Sequence, residues 1–158
     1  MNRSFASNAA SANRKSDTHT INPELNGEWL ESRPGERFRI CMSGAQTNGA
    51  YSVVEIVAEH GYGTPVHIHE NEDEHFVVVE GTASMVNGDE AFEATAGAAI
   101  SLRKGIPHAW CNRSKSPLRL VITNVPGGIE ESLRLSANGV DVRAVAERFA
   151  VRVVGPMI

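Results

Sequence analysis

Residues 61–81 read GYGTPVHIHENEDEHFVVVEG. His67 and His69 are separated by one residue, so on a strand, where alternate side chains face opposite sides, both imidazoles point the same way. The polar stretch Glu70, Asn71, Glu72, Asp73 reads as a turn, and Glu74 opens a second apolar run that carries Phe76 to Val79. Two strands joined by a turn would thus gather two imidazoles and a carboxylate. That is a partial coordination sphere for a divalent first-row metal.

A third imidazole lies further along, in residues 97–112, GAAISLRKGIPHAWCN. His108 follows the turn Gly105-Ile106-Pro107 and opens a strand, so it has rigid support on one side and access from a loop on the other. If the two hairpins face each other across a barrel, His67, His69, Glu74 and His108 converge on one interior point. Neutral imidazoles suit Fe, Mn, Co, Ni, Cu and Zn, and a single carboxylate lowers the charge of the complex and can exchange between ligand and base. Such a set leaves coordination positions open, which separates a reactive site from a purely structural one.

Around these stretches the chain is punctuated like an all-β protein. Short apolar or alternating segments recur from Trp29 onward at 28–31, 37–42, 51–58, 64–68, 75–80, 82–86, 90–94, 99–102, 108–112 and 118–123. Turn residues separate them: Arg33-Pro34-Gly35, Thr47-Asn48-Gly49, Asn87-Gly88-Asp89, Lys104-Gly105 and Ser116-Pro117. Asn87-Gly88 is a hairpin signal, and many short strands with tight turns predict a sandwich or barrel. Pro126-Gly127-Gly128 closes this pattern. Beyond it, 129–135 reads as a short helix with Glu130 and Glu131 in the first turn, where the helix dipole favours acids. Residues 140–150 place Val142, Val145, Ala146 and Phe149 at helical spacing. The final stretch, 151–158, is apolar and broken by Gly155-Pro156. A helical tail of this kind is expected to cover a face or an edge of the β core.

The 158 residues are 41% hydrophobic and 22% charged, the balance of a globular protein with a full core. The formal charge of −4 leaves no basic surface for nucleic acid or anionic lipid. No segment has the length or apolarity of a membrane span or a secretory signal. Two cysteines, Cys41 and Cys111, with no CxxC spacing, point to a reducing compartment, and the cytoplasm is the expected location. Residues 1–22, rich in Ser, Asn and Ala, read as a disordered tail, and 23–158 as a single domain with a helical extension from about 127.

The two stretches resemble the two motifs of the cupin superfamily. Gly61, His67, His69, Glu74 and Gly81 fit the first in type and in every gap; Gly97, Gly105, His108 and Asn112 fit the second. One position departs, with Arg103 where that motif usually has proline. The tail, through Pro126-Gly127-Gly128 and Gly155-Pro156, is similar to that of small single-domain cupins related to quercetin 2,3-dioxygenases. The resemblance implies a conical jelly-roll β-barrel (a double-stranded β-helix) holding one divalent metal. His67, His69 and His108 would be its ligands, and Glu74 a ligand and candidate catalytic base. In quercetinase-like members a substrate hydroxyl or enediol binds the metal and dioxygen reacts there.

Glu74 shares parity with Phe76 and Val78, which points it inward, while His75 and Cys111 have the opposite parity to the ligands and should face outward. Trp110 shares parity with His108, and an aromatic face there suits a flat organic substrate. Tyr51 and Val53 are read as the inward face of their strand, so Tyr51, Val53, Phe76 and Trp110 form the expected substrate cavity. The function expected is a metal-dependent dioxygenase, or a related lyase or isomerase, acting on a small oxygenated molecule. The alternatives are a non-catalytic cupin that binds a metabolite or senses metal, and a structural or storage protein, for which a full ligand set would be unnecessary. Apolar surface in the early strands and at the C-terminus predicts a homodimer.

Overall fold

The computed structural model of the chain describes residues 27–158, so the N-terminal tail assigned above lies outside the described residues. Ten strands run from β1 (Leu30–Arg33) through β2 (Glu36–Met42), β3 (Ser52–Ala58), β4 (Pro65–His69) and β5 (Asp73–Glu80) to β6 (Thr82–Asn87), β7 (Glu90–Thr95), β8 (Ala99–Leu102), β9 (His108–Cys111) and β10 (Leu118–Val125). Helices α1 (Glu130–Ala137) and α2 (Val142–Arg148) follow, then an eleventh strand, β11 (Val151–Met157). The β6–β7 hairpin turns at Gly88-Asp89, with Asn87 paired to Glu90 and Gly88 at φ +60° in the first loop position. A right-twisted hairpin asks for that conformation there, and glycine adopts it without steric cost.

Two antiparallel sheets result. One has the order β1-β2-β3-β10-β5-β8, the other β11-β4-β9-β6-β7. Their inner faces meet in one core, to which the first sheet contributes Phe38, Val54, Phe76, Leu118 and Leu120 and the second Ala83, Met85 and Trp110. This is a jelly-roll barrel.

Parity on β3 is opposite to the expectation. Ser52, Val54, Ile56 and Ala58 face the interior, while Tyr51 is 40% exposed and Val53 half-buried on the other side. Glu55 explains the choice, because it shares the face of Tyr51 and Val53. There it is 3% exposed and held between Arg39, at 2.5 Å, and Arg119. Turning that face inward would bury a carboxylate among aliphatic side chains without partners, which costs more than burying Val53 could return.

The last strand is a second departure. Val151–Met157 form β11, which pairs with β4 along the edge of the second sheet, Val151 opposite His69 and Val153 opposite His67. Gly155 lies within van der Waals reach of Val66, where an added Cβ would sit 3.0 Å from its side chain. The expected edge cover is therefore supplied by a strand, and it lies directly on the strand that carries two of the histidines. Among the described residues no helix is long and apolar enough to cross a membrane.

Candidate metal centre

Four buried side chains meet inside the barrel: His67 and His69 from β4, His108 from β9, and Glu74 from β5 of the opposite sheet. The strands themselves bring them together. His67 pairs directly with His108 across β4 and β9. Gly63 permits the approach: it bridges to Cys111, and a Cβ there would lie 2.1 Å from the Trp110 carbonyl oxygen. Asn112, fully buried, donates through Nδ2 to the carbonyls of Ala58 and Ser116 at 2.9 Å and thereby closes the loop behind β9.

One donor atom from each of the four residues lies within 4.8 Å of all the others. The His67 and His69 Nε2 atoms approach to 3.1 Å, His108 Nε2 is 3.2 Å from Glu74 Oε2, and His69 Nε2 is 3.8 Å from Glu74 Oε1. Their tautomers follow from their other contacts. His67 Nδ1 lies 2.8 Å from the Pro65 carbonyl and His108 Nδ1 2.9 Å from that of Ile106. A carbonyl only accepts, so each Nδ1 donates and each Nε2 presents a bare lone pair to the cluster. His108 Nε2 has no hydrogen-bond partner although it is fully buried. Two imidazole lone pairs and a carboxylate crowded around a third imidazole are what a cation would satisfy, and the nitrogen-rich set fits a transition metal.

The electrostatics agree with that reading. Burial, reinforced by the neighbouring His108 and His69, lowers His67 to about 4, so it is neutral at physiological pH. Burial alone would raise Glu74, but His108, His69 and His67 outweigh it and hold the carboxyl below its ordinary value. His69 runs the other way: burial disfavours its charge, yet Glu72 and Glu74 more than offset this and raise it.

Three members of the cluster, His67, His69 and Glu74, line the floor of a cavity of about 250 Å³. Val54, Ile56, Ile122 and Trp110 make its walls, and Ile129, Leu133, Val142, Val145, Val151 and Val153 its mouth. Trp110 thus lines the cavity and also packs in the core. Phe76, expected on the wall, is instead 1% exposed in the packed core opposite Ile122 and Ile100. Tyr51 and Val53 are on the outer face and leave their expected places to Val54 and Ile56. His75 is on the far side of β5, where its Nδ1 meets Ser101 Oγ at 3.0 Å.

Several residues of the site escaped the sequence reading. Glu72, taken there as a polar turn residue, is buried with Oε2 3.6 Å from His69 Nδ1. Asn124 lines the cavity beside Glu74, its cross-strand partner, and donates to Ser52 Oγ at 3.3 Å. Glu130 is 1% exposed and accepts from the backbone N–H groups of Gly44 and Gly128, both at 2.6 Å, which pins the start of α1 over the mouth. A helical apolar period (Val142, Val145, Ala146) was the available signal for the mouth; nothing in the linear sequence links residue 130 to residue 44.

Comparison with known proteins agrees with this architecture. The cupin-domain family model matches residues 53–124, a span that holds all four clustered side chains. The xanthan biosynthesis protein XanB of Xanthomonas campestris pv. campestris is 31% identical over 71 residues, which is 45% of this chain but 15% of that protein. Among solved structures, KdgF from a Halomonas species superposes with a TM-score of 0.60 at 19% identity, over 70% of this chain and 96% of that one. An RmlC-like cupin from Shewanella frigidimarina gives 0.58 at 20% identity, over 69% and 91%. Fold, motif and family model coincide: the chain has the cupin jelly-roll fold, and residues 53–124 match the cupin-domain family.

Proposed function

We propose that the chain is a metal-dependent cupin enzyme that acts on a small, largely apolar oxygenated molecule, with a quercetinase-like dioxygenase as the leading reaction class. The observation that carries it is the convergence of two Nε2 lone pairs, a third imidazole and one carboxylate at an apolar cavity that His67, His69 and Glu74 line. His67, His69, His108 and Glu74 would hold a single divalent ion, which when bound would act as Lewis acid and, in a redox reaction, as the route to dioxygen.

This chain's own residues do the rest. The Pro65 and Ile106 carbonyls keep two imidazoles in the binding tautomer. Glu74, ionised and at the cavity floor, is the group able to accept a proton from a substrate hydroxyl within hydrogen-bond reach. Aliphatic walls and Trp110 exclude water around an organic body. Among the described residues none that lines the cavity is lysine or arginine, and Glu130 already binds two backbone N–H groups there. Such a lining favours a substrate that brings no net anionic charge beyond the oxygens given to the metal.

The free cysteines are consistent with the cytoplasm, and exposed Val153, Val154 and Met157 on the edge strand β11 support a homodimer. The test is metal analysis of protein purified without added metal, followed by oxygen uptake with flavonols and enediols. Stoichiometric metal and uptake that His108→Ala abolishes are expected. Metal retained without turnover, with tight ligand binding, would move the assignment to a binding module, and an inability to bind any first-row metal would end it.

A further inference from the structure

His67 and His108 are held in the same way: each donates Nδ1–H to the carbonyl two residues before it, at 2.8 and 2.9 Å. His69 is not. Its Nδ1 is buried and has no hydrogen-bond partner, while Glu72 Oε2, also buried and also unpartnered, lies 3.6 Å away. Two orphaned groups of complementary character, separated by less than one ångström beyond hydrogen-bond distance, call for each other.

The acidic turn sharpens the contrast. Glu70 is exposed and pairs with Arg152 at 2.6 Å; Asp73 accepts from the Lys104 backbone N–H at 2.9 Å and pairs with Arg103. Glu72 alone of the three turns inward, and it does so from a segment pinned on both sides. Gly105 N–H donates to the His69 carbonyl at 2.8 Å, and Glu70 N–H to that of Ala150 at 3.2 Å. A carboxylate is seldom buried without a partner, and the His69 ring is the partner within reach.

We infer that Glu72 is the positioning residue of the metal centre: its carboxylate takes the Nδ1–H edge of His69 and so aims that ring's Nε2 at the cation. The inference rests on the metal reading above. It makes the centre asymmetric, with two imidazoles steered by backbone and the third by a side chain, and so by a group that one substitution can remove. Partners of this kind govern both the orientation and the basicity of the ligand.

The experiment is a Co(II) titration of metal-free protein, read by the visible spectrum of the bound ion. The unmutated chain, Glu72→Ala, Glu72→Gln and Glu70→Ala are compared. Glu72→Ala is expected to weaken Co(II) binding by about 10- to 100-fold. Glu72→Gln, which keeps an acceptor oxygen and loses the charge, falls between, and Glu70→Ala stays within a factor of two or so, because its carboxylate points outward and is screened. With Zn(II) bound, the ring N–H proton resonance of His69 should shift in Glu72→Ala and stay in Glu70→Ala, while those of His67 and His108 stay in both. Should Glu72→Ala fail to fold, the near-isosteric Glu72→Gln carries the comparison. Equal affinity in the unmutated chain and both Glu72 variants overturns the inference and leaves the metal reading standing, and so does an equal loss in Glu70→Ala. No Co(II) binding by the unmutated chain overturns both.

Discussion

The floor and the mouth of the cavity are built on different principles. At the floor, a cluster of four polar side chains comes from β4, β5 and β9, two of them oriented by carbonyls two residues earlier in the chain. At the mouth, aliphatic side chains come from α1, α2 and β11, elements that pack on the barrel after the sheets are complete. Rigid strands can hold donor atoms to the tolerance a metal demands, whereas short helices offer a surface that can change without disturbing them. The division assigns chemistry to the floor and selection to the mouth. It can be broken at either end.

The largest effect belongs to the floor. His108→Ala removes an imidazole that is 1% exposed, paired across the strands with His67 and 3.2 Å from Glu74. Metal affinity should fall by more than about a hundredfold, beyond the range for outer partners. Dialysis against a chelator with metal analysis reads it. An affinity unchanged within error would mean that the cluster is a neutral polar core and not a binding site.

Next in size is the tie between the two regions. Glu130→Ala would leave the buried Gly44 N–H and the half-buried Gly128 N–H without an acceptor. Two unsatisfied donors cost about 1–3 kcal/mol each, so a loss of roughly 3 kcal/mol is expected in denaturant unfolding of the metal-free protein. Metal affinity measured on the folded fraction should barely change. If both fell together, floor and mouth would be one cooperative unit and the division would fail.

How legible each region is in the sequence follows from the same contrast. The floor is written locally: His-x-His on a strand, a polar turn and an acid of inward parity lie within eight residues, and the second motif repeats the logic around His108. The β6–β7 turn is equally local. What escaped depends on partners far away in the chain. Glu55 decides which side of β3 faces inward through Arg39 and Arg119, which sit on two other strands. Glu72 looks like any acid in a solvated turn until the His69 ring is placed beside it. Residues 151–157 lack alternation and carry Gly155-Pro156, so only the free edge of β4 explains why they are a strand.

Acid should release the metal in two stages. His69 is raised by Glu72 and Glu74, so a proton competes for it from somewhat above the ordinary histidine value of about 6.5. His67 is depressed to about 4 and takes no proton until the pH nears that value. Occupancy should therefore decline with a shallow, one-proton dependence near neutrality and steepen towards about 4. Stability of the metal-free fold carries the sign of His67 separately. Its folded value lies below the unfolded one, so its contribution is complete above about 6.5 and is lost as pH falls towards 4. Occupancy followed across this range by equilibrium dialysis checks the first statement. A steep multi-proton loss already at pH 6.5 would contradict it.

The smallest effect is the most diagnostic for the mouth. Val145 is 5% exposed on α2 and faces the cavity. Val145→Ala removes two methyl groups from a surface that only partly collapses around them, at a cost of about 1–2 kcal/mol in stability. It carries no donor atom itself, and the carbonyls that orient two of the imidazoles lie in β4 and in the turn before β9. Under the division proposed here, metal content and kcat stay as they were, while KM for an apolar substrate rises and the preference between bulky and slim substrates shifts. A fall in kcat at constant KM would place α2 in the reacting assembly, and the mouth would then be part of the chemistry it was taken to screen.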